Sequence, residues 1–182
     1  MDETRIGLSL NDETDYGLCF ACGPRNRSGL QLRFERSGDT VTTTFRGREE
    51  HQGFPGLVHG GVISALLDEV MSRVSLLEDR WTMTARLDIR YRQPVPVDLT
   101  VTAVAKKGRV LRRFVEARGR VELPDGSVAA DAVGTFAFLD DGTLSRMSAG
   151  YPGLAGEWMQ GGVGPQGRTA ALPPLISTEP AE

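Results

Sequence analysis

One apolar stripe narrows the fold of this chain more than any other feature. From His59 to about Leu77, the residues Val62, Ile63, Leu66, Leu67, Val70, Met71, Val74 and Leu77 recur at spacings of three and four. That period belongs to an α-helix with one broad apolar face. A face this wide has to bury against something large, most simply a sheet. Strands are available on both sides. Thr82–Tyr91 alternates, with Met83, Ala85, Leu87, Ile89 and Tyr91 on one side and Thr82, Thr84, Arg86, Asp88 and Arg90 on the other, as in a half-buried strand. Leu30–Phe34 and Thr40–Phe45 read as short strands around a Gly38-Asp39 turn. Leu99–Ala105, Leu111–Leu123 and Ser127–Leu139 follow, divided by Lys107-Gly108 and by Pro124-Asp125-Gly126, both turn signals. The expected order is two strands, one long helix, then four strands in an antiparallel meander. A single helix on a curved antiparallel sheet is an α+β arrangement.

A chain of 182 residues is enough for one compact domain. Its expected limits are residues 16–139. Residues 1–15, with five acids and one base, read as an acidic flexible N-terminus. Residues 140–182, with eight glycines and five prolines, read as a largely disordered tail in which only Glu157-Trp158-Met159 offers a docking segment. The net charge of −3 argues against a dedicated nucleic-acid binder. Residues 16–139 nevertheless hold 18 bases against 14 acids, a balance that suits a polyanionic ligand. No stretch approaches the roughly 18 consecutive apolar residues of a membrane span, and Met1–Leu10 lacks the apolar core of a secretory signal. Two cysteines make no disulfide framework, so the expected compartment is a reducing cytoplasm.

The chemistry centres on the helix. At about 100° per residue, Ser64, Asp68 and Ser72 share the side opposite the apolar stripe, with Ala65 and Ser75 nearby. A solvated face usually carries long charged side chains, whereas this one sets small residues around one short carboxylate. A second surface can approach closely there, which makes Asp68 a candidate catalytic group; the plain alternative is a polar face without function. His59-Gly60-Gly61 opens the same helix, where unpaired N–H groups and the helix dipole favour an anion or a polarised carbonyl. The glycines equally permit a tight turn. His59 is placed either to position substrate or water or to bond to backbone, and His51 is similar, with Gln52 a polar neighbour. Thr84 can orient a water, or simply favour a strand. Cys19-Phe20-Ala21-Cys22-Gly23 looks like half of a zinc knuckle, but a closed site needs four ligands and the chain has no second cysteine pair. The reading is reduced thiols in a turn, with no metal and no other cofactor; a metal shared with carboxylates or with another subunit is the alternative. Phe54, Trp81, Phe136 and Phe138 can shape a pocket, though each fits a core as simply.

Together these residues carry a family resemblance. His59-Gly60-Gly61-Val62-Ile63-Ser64-Ala65-Leu66-Leu67-Asp68 resembles the "HGG, six residues, then D" signature of hotdog-fold thioesterases of the PaaI type. Met83–Pro94 resembles that family's "TAxLxxxYxxP" strand, and Gly53–Val58 is similar to the loop of the branch related to human thioesterase superfamily member 4. The resemblance covers about residues 19–139. It implies a hotdog fold, one long central helix wrapped by a curved antiparallel sheet, in which protomers pair edge to edge as a homodimer or a dimer of dimers. It also implies Asp68 as base or nucleophile, the Gly61 amide polarising a thioester carbonyl, and Thr84 reaching in from the partner subunit. Gly60, Ser64, Ser72, His51 and Gln52 are the expected substrate-binding residues around them. Glu69 lies about 100° from Asp68 on the helix and stands outside that pattern.

The function expected from residues and resemblance is hydrolysis of an acyl-CoA, or an acyl-carrier protein, by a cytoplasmic thioesterase. Two other classes remain open. A dehydratase of acyl thioesters needs a histidine paired with an acid across the pocket, and a non-catalytic acyl-CoA binder needs neither. Arg86, Arg90, Arg112 and Arg118 are candidates for the coenzyme A phosphates.

Overall fold

A computed structural model describes residues 18–78, 80–140 and 142–143. The acidic segment 1–15 and nearly all of the tail, with Glu157-Trp158-Met159, lie outside the described residues. The chain divides into a unit ending at Phe138 and a second from Leu139 onward, and the first contains all the elements that follow.

Six strands form one antiparallel sheet: β1 (Glu35–Ser37), β2 (Thr40–Arg46), β3 (Thr82–Tyr91), β4 (Thr100–Val110), β5 (Phe114–Glu122) and β6 (Val128–Phe138). The helix α1 runs from Gly60 to Ser72 and continues as a 3-10 segment, Arg73–Glu78. The expected helix to Leu77 is thus present, but its last turns are tighter. The hydroxyls of Ser72 and Ser75 donate to the backbone carbonyls of Glu69 and Ser72 at 2.9 and 2.7 Å, and such back-bonding disturbs the regular helical ladder.

The fit between helix and sheet depends on unequal residue sizes. Ile63, Leu66, Leu67, Val70 and Met71 are buried on α1, and Val74 on the 3-10 segment that continues it. Burying a side chain of this size contributes about 1.5–3 kcal/mol. The sheet face that receives them is lined with small residues: Ala103 and Ala105 on β4, Ala117 and Gly119 on β5, Ala130, Ala132 and Gly134 on β6. Met71 lies hard against two of them. A methyl group on Gly119 would come within 2.6 Å of the Met71 sulfur, and one on Gly134 within 3.0 Å of its terminal carbon. Large side chains from the helix therefore fill a shallow hollow that the sheet leaves open.

The strand order is β1-β2-β4-β5-β6-β3. Only β4, β5 and β6 form the expected meander. β3 does not pair with β4; it crosses to the far side and pairs with β6 alone. Residues 92–99 make that crossing, pinned by the Leu57–Pro96 bridge and by Val97 N–H donating to the Gly56 carbonyl at 3.0 Å. Leu30–Phe34 is not a strand. Its alternation is real, with Leu30, Leu32 and Phe34 buried, but the amides of Leu30 and Leu32 donate to the carbonyls of Phe20 and Ala21 in the cysteine turn. The strand proper begins at Glu35 and is three residues long. Lys107-Gly108 lies within β4, and the reversal comes instead at residues 111–113.

The β3–β6 register contains a bulge. Thr84 pairs with Phe136, Arg86 with Thr135 and Leu87 with Gly134, so Ala85 is the extra residue. An extra residue reverses which side chains point to which face. Thr82 and Thr84 before the bulge therefore lie on the helix side with Leu87, Ile89 and Tyr91 after it. The expectation that Thr84 shares the polar face with Arg86, Asp88 and Arg90 is corrected by this single residue.

Gly119→Ala should destabilise the protein by about 1–3 kcal/mol, the cost of overpacking a filled core. Urea denaturation followed by circular dichroism measures this, and an unchanged midpoint would show that Met71 has room to move.

Candidate active site

Asp68 occupies the third turn of α1, half-buried on the side away from the core. The bulge brings the Thr84 hydroxyl to it, donating to Oδ1 at 2.7 Å. This bond forms within one chain, whereas the resemblance had Thr84 arriving from a partner subunit. Burial raises the Asp68 carboxyl above the usual carboxylate range; the Thr84 hydroxyl pulls it back down and the neighbouring Glu69 charge adds to the rise.

At the start of the helix, His59 is the N-cap, and its Nδ1 accepts from the Gly61 N–H at 2.8 Å. The glycines there make room for a ring: a methyl group on Gly53 would lie 2.9 Å from the His59 ring and one on Gly61 3.0 Å from it. The Gly61 amide, expected to be open to a ligand, thus already holds the His59 ring. Next to it, the Gly60 carbonyl accepts from the Tyr91 hydroxyl and the Ser64 hydroxyl, both at 3.0 Å, and those two hydroxyls lie 2.6 Å apart. Two hydroxyl protons thus serve three contacts. The alternation places Tyr91 with the apolar strand residues, and only the strand's true register reveals its place at the helix start. A cavity of about 280 Å³ opens here, bounded by Gly60, Ile63, Tyr91, Pro94, Val95 and Ala130.

The remaining expected residues separate. Gln52 accepts from the Gly56 amide at 3.1 Å and shapes the exposed loop. Ser72 spends its hydroxyl on its own helix. His51, expected to bind substrate, is buried among its own neighbours. It is 3% exposed, its Nδ1 accepts from the Arg48 N–H at 3.2 Å, its Nε2 lies 3.2 Å from the Arg48 guanidinium, and the Ser28 and Gly29 backbone is within hydrogen-bonding reach of the ring. Phe136 is core, Phe138 stacks under the Arg80 guanidinium at 3.5 Å, and Phe54 is 79% exposed at the loop tip. Arg86 pairs with Asp88 at 2.8 Å. Arg90 and Arg118 join Lys106 and Arg120 around a second hollow, of about 560 Å³, on the sheet face away from the helix.

Beside Asp68, on the next residue of α1, Glu69 receives Arg73 at 2.5 Å and meets the cysteine turn. The Cys22 thiol donates to Cys19 and lowers the Cys19 pKa to about 6, while the same bond, then burial, push Cys22 upward.

A curved six-stranded antiparallel sheet around one principal helix, with a carboxylate on that helix, is a hotdog fold. The thioesterase superfamily model matches residues 55–130. The chain is similar to human acyl-coenzyme A thioesterase THEM5, 38% identical over 98 residues, covering 52% of this chain and 40% of that protein. Among solved structures, thioesterase superfamily protein RHA08564 superposes with a TM-score of 0.61 at 32% identity, over 64% of this chain and 61% of that one. The smu.793 protein of Streptococcus mutans UA159, solved bound to acetyl CoA, gives 0.57 at 18% identity, over 59% and 88%. The matches span 27% to 40% of the length of the curated relatives. Among the described residues, no helix is long and apolar enough to cross a membrane.

Two outcomes follow from this geometry. Burial, reinforced by the Arg48 charge, lowers the His51 pKa below its ordinary 6.5. The unfolded chain therefore takes up this proton first as the pH falls. The stability owed to neutral His51 is complete above that ordinary value and is lost below it. Melting temperatures between about pH 7 and pH 5 should fall more steeply for the native chain than for His51→Gln; parallel profiles would contradict this. Tyr91→Phe, which unties β3 from the helix start, should lower stability by about 0.5–1.5 kcal/mol in denaturant titrations.

Proposed function

We propose that the protein is a thioester hydrolase acting on an acyl-CoA, with Asp68 as its catalytic carboxylate. The observation that carries this reading is the Thr84 hydroxyl bound to Oδ1 of a half-buried Asp68. One carboxylate oxygen is thereby fixed, and the other is left to meet water or substrate. The thioester carbonyl lies at the helix N-terminus, where the dipole and the first amides stabilise the negative charge that develops on its oxygen. The Gly60 amide lies at that end, and the substrate oxygen gains the Gly61 amide by displacing the His59 ring. Water attacks the carbonyl carbon, Asp68 takes its proton, the C–S bond breaks, and the proton leaves with the thiolate as free thiol. In the variant route Asp68 attacks the carbonyl carbon, the C–S bond breaks and the thiolate leaves, and water then opens the resulting anhydride, giving the free acid, restored Asp68 and a proton for the thiolate.

The similarity to acyl-coenzyme A thioesterases supports the substrate class, as does a neighbour of the same fold solved with acetyl CoA. A homodimer fits the open outer edge of β3, since an exposed strand edge invites pairing with a second copy. Ser64 and Gly60, beside the cavity at the helix start, are the substrate-facing residues of this reading.

The test is release of free coenzyme A from a panel of acyl-CoAs, short aliphatic to aromatic. Asp68→Asn should reduce turnover by about 10²–10⁴-fold with the fold intact by circular dichroism. Thr84→Val should reduce it by about ten- to hundredfold, as expected for a hydrogen bond to a charged group. Near-normal turnover in Asp68→Asn would remove the mechanism, and saturable binding without release would identify a binder instead.

A further inference from the structure

The cysteine turn is not absorbed by this mechanism. Sequence shows two thiols at knuckle spacing and no second pair. Folding adds a third ligand from elsewhere in the chain. The Cys19 and Cys22 sulfurs and a carboxylate oxygen of Glu69 all lie within 4.8 Å of one another. Zinc holds sulfur at about 2.3 Å and carboxylate oxygen at about 2.0–2.2 Å in a tetrahedron, so its ligands sit about 3.5–4 Å apart. The observed cluster needs only a small contraction to reach that spacing.

The surroundings fit a cation as well. Backbone hydrogen bonds from Ala21 and Cys22 are directed at the Cys19 sulfur, and Gly23 N–H closes the turn onto the Cys19 carbonyl at 3.0 Å. These amides favour a negative sulfur. The buried Arg73 guanidinium donates to the Cys22 sulfur at 3.0 Å and to Glu69. Both of its bonds to Glu69 go to Oε1, at 3.1 and 2.5 Å, which leaves Oε2 for another partner. Two thiolates and a carboxylate around a divalent ion carry one surplus negative charge, and Arg73 offsets it. Outer groups that bond to the ligands in this way orient and tune metal sites.

We propose that Cys19, Cys22 and Glu69 bind a thiophilic divalent cation of the zinc class, with the fourth position open to solvent on the half-exposed Cys19 side. The ion ties the irregular segment that contains Leu30 and Leu32 to α1, at the residue next to Asp68. Its binding releases the thiol protons, and no oxidation state changes.

The test uses the full-length, tag-free chain purified without chelator and reconstituted with Zn²⁺ or Co²⁺. Elemental analysis should find one zinc per chain, and the Co²⁺ form should show thiolate-to-metal charge-transfer absorption. Cys19→Ser and Glu69→Gln, each checked for native circular dichroism, should bind Zn²⁺ at least about tenfold more weakly against a competing chelating dye. Zn²⁺ should also slow reaction of both thiols with a disulfide reagent. Sub-stoichiometric metal after reconstitution would overturn the proposal, as would a Co²⁺ spectrum without sulfur bands. So would a chain that ignores Zn²⁺ and closes Cys19 to Cys22 as a disulfide under oxidised glutathione.

Discussion

Everything in this fold rests on how closely α1 approaches the sheet. The helix presents Leu66, Leu67, Val70 and Met71, and the strands answer with alanine and glycine. Helix and sheet each have a continuous apolar face, and the sheet sets its small residues opposite the bulky middle of the helix, with Val101, Val115, Val121 and Phe136 around them. Such asymmetry lets a single helix satisfy a six-stranded sheet at native packing density. It also sets the helix in depth and rotation, because Met71 lies directly against Gly119 and Gly134. With rotation fixed, the opposite face is fixed too, and Asp68 is held where Thr84 can meet it.

The site therefore depends on two independent placements. Core packing determines where Asp68 points. The register of β3 on β6 determines where Thr84 points. His59, Gly60 and Tyr91 then join the helix start to the end of the same strand. Glu69 is turned about 100° from Asp68. That rotation takes it away from Thr84 and toward Arg73 and the cysteine turn, so adjacent carboxylates serve separate neighbourhoods.

Much of this is legible in the sequence. The stripe from Val62 to Val74 marks the helix, and Asp68 stands out because its neighbours on the polar face are so small. Thr40–Phe45 and Thr82–Tyr91 read as strands because their residue types favour them. What stays hidden is long-range. The position of β3 beside β6 follows from the path of residues 92–99, which no periodicity describes. His51 stands out in the sequence as a polar candidate, whereas its burial, and its neighbours Ser28 and Gly29 from another segment, are not visible there. Glu69 joins Cys19 and Cys22 across about 50 residues, and no spacing rule links them. The face of Thr84 is hidden too, because an alternating pattern carries no sign of an unpaired residue within it.

The bulge at Ala85 means that part of the site is written in the number of residues rather than in their identity. Removing Ala85 would delete no functional group and alter no side chain of the pair, yet it would restore the regular pleat and turn Thr84 to the opposite side of the sheet. Relatives that retain both the aspartate and the threonine can thus differ in whether the two ever meet. In this fold the count of residues between the strand's start and its tyrosine is as informative as the residues themselves.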